Sequence, residues 1–232
     1  AAVAQRLGCG PEELTFVSCG TEGDNWAVLA AAERGKRLGK HIVATAIEHA
    51  AVLEPVKALA ARGYEVTWLR PDRTGHVSAD DLRAALRKDT VLVSMMLVNN
   101  ELGTLQPVAD AAQAIREAGC PALLHCDAVQ GFLKVPFTPA RLGVDLLTLS
   151  GHKVRAPKGV GVQYIRKGLD IKPLLRGGGQ ENGLRSGTEP TAQAAALAAA
   201  CAAWQGSYPS RILEIKEYAL ELLSALPGLE II

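Results

Sequence analysis

The sequence lacks the marks of several protein classes. No apolar run in its 232 residues reaches the ~18 residues that a membrane-spanning helix needs, and the first residues show no signal-peptide pattern. Lysine and arginine are spread along the chain at a formal net charge of +1, which argues against a nucleic-acid or membrane surface. The dinucleotide fingerprint GxGxxG and the P-loop pattern are both absent. We therefore expect neither a nucleic-acid partner nor a membrane partner.

Cysteine is sparse and is not spaced for disulfide bonds or metal binding. The five cysteines form no CxxC pair and no metal-ligand spacing, and their number is odd. They stand at positions 9, 19, 120, 126 and 201. We expect a reduced, cytoplasmic protein with mostly buried thiols and no metal site.

Apolar runs of strand length alternate with amphipathic helical patterns. The hydrophobic content of 48% beside 21% charged residues is enough for a sizeable core. Strands are predicted at residues 14–18, 41–46, 65–69, 91–98, 122–126, 145–149 and 160–165, and helices at 24–38, 50–62, 79–87, 108–118, 190–204 and 210–225. This alternation predicts an α/β fold with a mostly parallel seven-stranded sheet and helices on both faces. The seventh strand follows too short a turn for a helical crossover, so we expect it to run antiparallel to the sixth.

Polar residues follow four of these strands. Ser150, His152 and Lys153 follow the sixth strand, Asp127 follows the fifth, Asn100 follows the fourth, and Thr21 follows the first. Open α/β sheets bind ligands at the edge where parallel strands end, so these residues predict a pocket. A lysine beside a cationic or polar group loses its proton more easily, and only the neutral amine attacks a carbonyl carbon. Lys153 is thus a candidate for a Schiff base, the alternative being an ordinary surface lysine.

The turn after the first strand has two interpretations. Gly20 allows close backbone approach and Thr21 offers a hydroxyl at a helix start, where free N–H groups favour a phosphate. Thr21 could equally be a plain N-cap, with Glu22 and Asp24 favouring the same helix dipole.

Asp127 also has several possible roles. A carboxylate after a strand can cap a helix, bind a metal, act as a base or pair with a protonated ring nitrogen. His125 is only a weak second metal ligand, because it points to the other face of its strand from Cys126. Pairing with a ring nitrogen best explains Asp127 together with Lys153.

Six motifs in order carry a resemblance that runs to about Cys201. They are FVSCGTE at residues 16–22, EH at 48–49, VNNELGT at 98–104, HCDAVQ at 125–130, SGHK at 150–153 and RSGT at 185–188. The chain closely resembles the cysteine desulfurases that serve nitrogen fixation and iron-sulfur cluster assembly, within the class V aminotransferase family. The resemblance implies the large domain of a fold type I transferase that depends on pyridoxal 5'-phosphate (PLP).

The resemblance also implies roles for individual residues. Lys153 matches the lysine that binds PLP covalently and later moves protons, and Asp127 matches the partner of the pyridine nitrogen. The other matches are Gln130 and Asn100 to the ring hydroxyl oxygen, His49 stacked on the ring as an acid-base group, Gly20, Thr21, Ser150 and His152 around the phosphate, and Thr188 reaching the phosphate of a neighbouring subunit in a homodimer.

Each of these residues also has a plainer interpretation. His49 could be a satisfied histidine at a strand end, Asn100 a turn residue and Gln130 a cap. Thr188 could merely start the next helix. Lys158 is the rival lysine, and its Pro-Lys-Gly turn places it towards solvent.

The implied reaction removes sulfur from L-cysteine and leaves L-alanine, with the sulfur held as a persulfide for an acceptor or scaffold protein. In the family the accepting cysteine and a carboxylate-binding arginine lie beyond the last motif. We therefore expect residues 1–205 to be the PLP-binding large domain without its N-terminal arm, and residues 206–232 to begin a truncated small domain. Such a fragment would lack desulfurase activity. Alternatives are a selenocysteine lyase, another class V relative, or an inactive cofactor-binding or structural fragment.

Overall fold

A seven-stranded sheet forms the centre of the fold in a computed structural model that describes residues 1–204, 206 and 210–231. The strands are β1 Leu14–Val17, β2 His41–Thr45, β3 Glu65–Leu69, β4 Thr90–Ser94, β5 Leu123–Asp127, β6 Leu146–Ser150 and β7 Gly161–Ile165. Their order across the sheet is β1-β7-β6-β5-β4-β2-β3. Each predicted strand is therefore present.

The strand directions place four strand ends at one edge. β2 pairs in parallel with β3 and β4, β4 with β5, and β5 with β6. β7 runs antiparallel to β6, as predicted, and also antiparallel to β1. Since β1 and β6 share this antiparallel neighbour, β1 points the same way as β4, β5 and β6. The four polar strand ends therefore meet at one edge of the sheet.

Helices cover both faces of the sheet. They are α1 Ala2–Leu7, α2 Gly20–Gly35, α3 Ala50–Ala61, α4 Ala79–Ala85, α5 Val108–Ala118, α6 Pro139–Leu142, α7 Thr191–Ala203 and α8 Ser210–Ser224. Successive strand residues point to opposite faces, so Leu146 joins the apolar core under α2 and α3, and Leu147 joins the core under α1, α4, α5 and α7. The predicted α/β class with helices on both faces is confirmed.

The start of α2 differs from the prediction. The helix begins at Gly20, four residues before the expected start, because Cys19 is fully extended and serves as the N-cap. A Cβ at Gly20 would lie 2.8 Å from Val129 Cγ2, so only glycine lets the helix begin this close to the chain after β5. The interpretation of Thr21 as the N-cap is wrong, since Thr21 lies in the first turn.

The fourth strand is shorter than predicted. It ends at Ser94, although the backbone N–H of Met95 and Leu97 still donate to carbonyls of His125 and Asp127. Between them, the Met96 N–H donates to the Glu48 carboxylate at 2.7 Å and so leaves the regular ladder with β2. This departure carries the chain towards the carboxyl edge.

The C-terminal helices α7 and α8 agree with the predicted ranges to within one residue. The expected domain boundary falls at residue 205, which lies outside the described residues, and the division into two domains stays a prediction. No helix in the described part of the chain combines the length and apolar character needed to cross a membrane.

Candidate active site

A cavity of about 380 Å³ opens at the carboxyl edge of the sheet. Its lining residues are Cys19, Gly20, Thr21, Asp24, His49, Met96, Asn100, Asp127, Val129, Gln130, Ser150, His152 and Lys153. Nine of the ten residues expected to bind a cofactor are in this set, and Thr188 is not. The volume is in the range typical of small-molecule sites.

Lys153 reaches the cavity from a tight turn after β6. Residues Gly151–Val154 form a 3₁₀ turn, and the Gly151 N–H donates to the Val160 carbonyl at 2.9 Å. A Cβ at Gly151 would lie 2.8 Å from Val160 Cγ1, so the turn can close against the start of β7 only with glycine there. The side chain of Lys153 is exposed on the cavity side, whereas the rival Lys158 is exposed in its own turn beyond the cavity lining.

Asp127 ends β5 on the cavity floor, with only 5% of its surface exposed. Burial raises its pKa to about 7, the charge of Asp24 adds to this, and the Val129 N–H, which donates to Oδ1 at 2.8 Å, opposes it. The carboxyl group is therefore partly protonated near neutral pH. A cationic ligand nitrogen beside it would favour the charged form.

Two further buried acids surround Asp127. Burial raises the pKa of Asp24 to about 7 and that of Glu48 to about 8. Asp24 Oδ1 and Glu48 Oε2 have no hydrogen-bond partner among the described residues. His125 Nε2 lies 3.4 Å from Asp24 Oδ1, but burial lowers the pKa of His125 to about 4, so this contact is not an ion pair at neutral pH.

Sequence reasoning missed the place of Asp24 in the site. We expected it to favour the helix dipole, and it lies one turn beyond Gly20 on the buried side of α2. The four-residue spacing from Gly20, with Gly23 beside it, was the signal that this face of the helix approaches the sheet. A Cβ at Gly23 would lie 2.7 Å from Thr148 Cγ2.

The start of α2 forms a polar corner of the cavity with the end of β6. Cys19 makes no side-chain capping hydrogen bond within the described structure, so the first N–H groups of this 16-residue helix keep their capacity to bind an anion. Ser150 Oγ lies 2.8 Å from His152 Nδ1. Burial and the charges of Lys153, Lys158 and Lys134 lower the pKa of His152, which favours its neutral form.

His49 caps α3 and also lines the cavity. Its Nδ1 accepts a hydrogen bond from the Ala51 N–H at 3.1 Å, which leaves the proton of the neutral ring on Nε2. The plainer interpretation of a satisfied histidine is thus compatible with a place in the cavity wall.

The two amide side chains that line the cavity have different surroundings. Gln130 Oε1 accepts from Lys134 Nζ at 2.6 Å. Asn100 is exposed, while its neighbour Asn99 is buried and accepts from the Glu101 and Leu102 N–H groups. Asn99 therefore shapes the turn, and Asn100 faces the cavity.

Thr188 is exposed and lies away from the cavity of its own chain. It lies just before α7, whose N-cap is Pro190, so the interpretation of Thr188 as the helix start is wrong. The segment before it is tied to α2, because Arg185 Nε lies 2.9 Å from Glu22 Oε1. Burial acts to raise the pKa of Glu22, but the hydrogen bonds from Arg185 and Ser18 outweigh it and hold the pKa below its usual value.

All five cysteines are free thiols. Burial raises the pKa of Cys9 to about 11 and raises those of Cys126 and Cys201 as well. Cys19 is the cysteine in the cavity lining, beside the helix start. The expectation of mostly buried thiols holds for Cys126 and Cys201, while Cys9, Cys19 and Cys120 are partly exposed.

Comparison with known proteins gives one consistent answer. The aminotransferase class-V family model matches residues 1–232. The chain is 46% identical over 190 residues to the cysteine desulfurase IscS of Dictyoglomus turgidum, covering 82% of this chain and 48% of that protein. It is 44% identical over 238 residues to cysteine desulfurase 2 of Trichormus variabilis, covering 99% and 58%.

Solved structures share the fold. A NifS-like protein superposes with a TM-score of 0.84 at 41% identity, covering 97% of this chain and 60% of its own. DndA from Streptomyces lividans superposes with a TM-score of 0.86 at 40% identity, covering 98% and 65%. The chain spans about half the length of the curated relatives it matches.

Proposed function

Because this chain belongs to the class-V aminotransferase family, we propose that it is the PLP-binding part of a cysteine desulfurase. The protein would convert L-cysteine to L-alanine and pass the sulfur on as a persulfide for iron-sulfur cluster or thiolation pathways. One observation carries the proposal: Lys153, the buried Asp127 and the free start of α2 line a single cavity.

The residues present fit PLP group by group. The doubly charged phosphate suits the N–H groups at the start of α2, with Thr21, Ser150 and His152 as further donors. The ring nitrogen suits Asp127. Burial raises the pKa of this carboxyl group, and a cationic ring nitrogen beside it would favour its charged form. The aldehyde requires an amine, which Lys153 offers at the cavity mouth.

Each residue would then have a defined task. Bound PLP supplies an electron sink for a substrate carbanion. Asp127 would hold the proton on the ring nitrogen, and Lys153 would bind the aldehyde and, once displaced by substrate, move the proton at the substrate Cα. His49 would pack on the ring face, with its Nε2–H available for proton transfer.

The remaining assignments extend to partners. Gln130 and Asn100 would donate to the ring hydroxyl oxygen. We propose a homodimer in which Thr188 binds the phosphate of the neighbouring site, since Thr188 is exposed and lies outside the cavity of its own chain. A sulfur-acceptor or scaffold protein would take the persulfide. The five free thiols support a reducing, cytoplasmic location.

PLP titration of the purified chain tests the cofactor assignment. We expect a visible absorbance band and saturable binding, both lost in Lys153→Ala because, among the described residues, Lys153 is the only amine in the cavity lining. Lys158→Ala removes an exposed lysine five residues away and should keep both signals. Equal loss in the two variants, or retention in Lys153→Ala, would contradict the proposal.

The activity itself is tested on the full-length gene product. We expect it to release alanine from L-cysteine, and amino-group transfer to a keto acid without sulfur release would indicate a different class V reaction.

A further inference from the structure

Lys134 is a half-buried lysine beside the cavity that the motifs did not single out. It lies in the turn after β5, and its Nζ is 2.6 Å from Gln130 Oε1. An ammonium group can only donate, so the Gln130 amide must present its oxygen to Lys134. The NH₂ group of Gln130 is then turned away from Lys134, and Gln130 lines the cavity while Lys134 does not.

We infer that Lys134 is a positioning residue that locks the Gln130 amide in the orientation that donates to an anionic oxygen in the cavity. A glutamine amide without such a partner can flip, presenting an acceptor instead of a donor at similar cost. An acceptor facing a ligand oxygen would repel it. Lys134 removes that choice through a charge-assisted hydrogen bond.

The charge of Lys134 supports the same role. Burial and the charge of Lys153 lower its pKa, which shows that the two cations lie within electrostatic reach of each other. The charge of Lys134 also lowers the pKa of His152, so Lys134 lies within electrostatic reach of two residues that line the cavity. A second positive charge near Lys153 favours an anionic ligand oxygen, in addition to the contribution of the oriented amide.

The inference rests on the proposed function for the identity of the ligand, with the ring hydroxyl oxygen of PLP as the group that Gln130 would meet. It is tested with three variants. Lys134→Met removes the charge and the donor, and Lys134→Arg keeps both. Lys88→Met is the matched control, because Lys88 Nζ also donates to an amide carbonyl, that of Ala118 at 2.7 Å, far from the cavity.

The first measurement uses the cofactor-free chain, so it stands even if PLP does not bind. The side-chain NH₂ signal of Gln130 is followed by ¹⁵N NMR and assigned by its loss in Gln130→Glu. We expect a distinct signal in the wild type, Lys134→Arg and Lys88→Met, and a shifted or averaged signal in Lys134→Met. An unchanged signal in Lys134→Met overturns the inference.

The second measurement uses the PLP-loaded chain. Lys134→Met removes a positive neighbour and a fixed hydrogen-bond donor. We expect the pH at which the cofactor absorbance is half changed to rise by about half a pH unit, and the Kd for PLP to rise about fivefold. Lys134→Arg should restore the midpoint. An altered amide signal with an unchanged midpoint would overturn the positioning role and leave the proposed function standing. A wild-type chain that does not bind PLP would overturn the proposed function, and the amide signal of the cofactor-free chain would then decide the inference about Lys134.

Discussion

Glu48→Gln should make the protein less sensitive to alkaline pH. Glu48 is 5% exposed, and its Oε1 accepts from Thr45 Oγ1 at 2.6 Å and from the Met96 N–H at 2.7 Å. Burial raises its pKa to about 8, with the charge of Asp127 adding to the effect and the Thr45 hydrogen bond opposing it. Glutamine keeps the oxygen acceptor for both donors and cannot ionise.

The sign and size of the effect follow from proton linkage. The folded pKa of Glu48 lies above the unfolded value, so the folded state holds the proton more tightly. The stabilisation is complete below the ordinary pKa and is lost as pH rises through the folded pKa. Integrated from pH 5 to pH 8, this one carboxyl group removes about 3 kcal/mol from the unfolding free energy.

Urea unfolding at both pH values measures this loss. Asp24 and Asp127 also titrate in this range and are coupled to Glu48, so the difference between the two proteins measures the ionisation of Glu48 together with its coupling to these two carboxyl groups. We expect the loss of stability from pH 5 to pH 8 to be about 3 kcal/mol smaller in Glu48→Gln than in the wild type. Glu54→Gln, which removes an exposed carboxylate on α3, should follow the wild type. Parallel curves for Glu48→Gln and the wild type would refute the reasoning.

Three further predictions address the anion corner, the Thr188 segment and the thiols. Gly20→Ala should lower the free energy of unfolding in urea by about 1–3 kcal/mol and weaken PLP binding, because the new Cβ would meet Val129. In the control Gly179→Ala the new Cβ would point into open space, so neither quantity should change. Arg185→Met should lower the free energy of unfolding by about 1–3 kcal/mol at pH 7. This loss should shrink as pH falls below the usual pKa of Glu22, because Arg185 stabilises the fold only while the Glu22 carboxylate is charged. With PLP and L-cysteine, Cys9, Cys126 and Cys201 should form no persulfide detectable by mass spectrometry, since burial raises the pKa of these three thiols; a persulfide on any of the three would contradict this.

The sheet and the site were predictable because their signals are local. Apolar runs mark buried strands, and residues such as Asp127 and Lys153 directly follow such runs, so their convergence at one edge needs only the rule that parallel strands end together. The boundary errors have non-local causes. The early start of α2 depends on the room that Gly20 leaves beside Val129, a contact between segments more than a hundred residues apart.

Other features depend on side-chain distances that a sequence pattern does not contain. Glu48 was recognised only as the neighbour of His49, yet it is buried with one oxygen lacking a partner among the described residues. The contact between Lys134 and Gln130 follows from the helical turn after β5, which no apolar periodicity marks. The role of Thr188 requires a second chain, so it stays a prediction.

The central claim, that Lys153 holds PLP in this cavity, is tested most directly by trapping the bond. The PLP-loaded chain is reduced with borohydride, digested and mapped by mass spectrometry. The account predicts the added mass of reduced PLP on Lys153 and its absence from Lys134 and Lys158. Labelling of another lysine in place of Lys153, or no stoichiometric labelling at all, would contradict it.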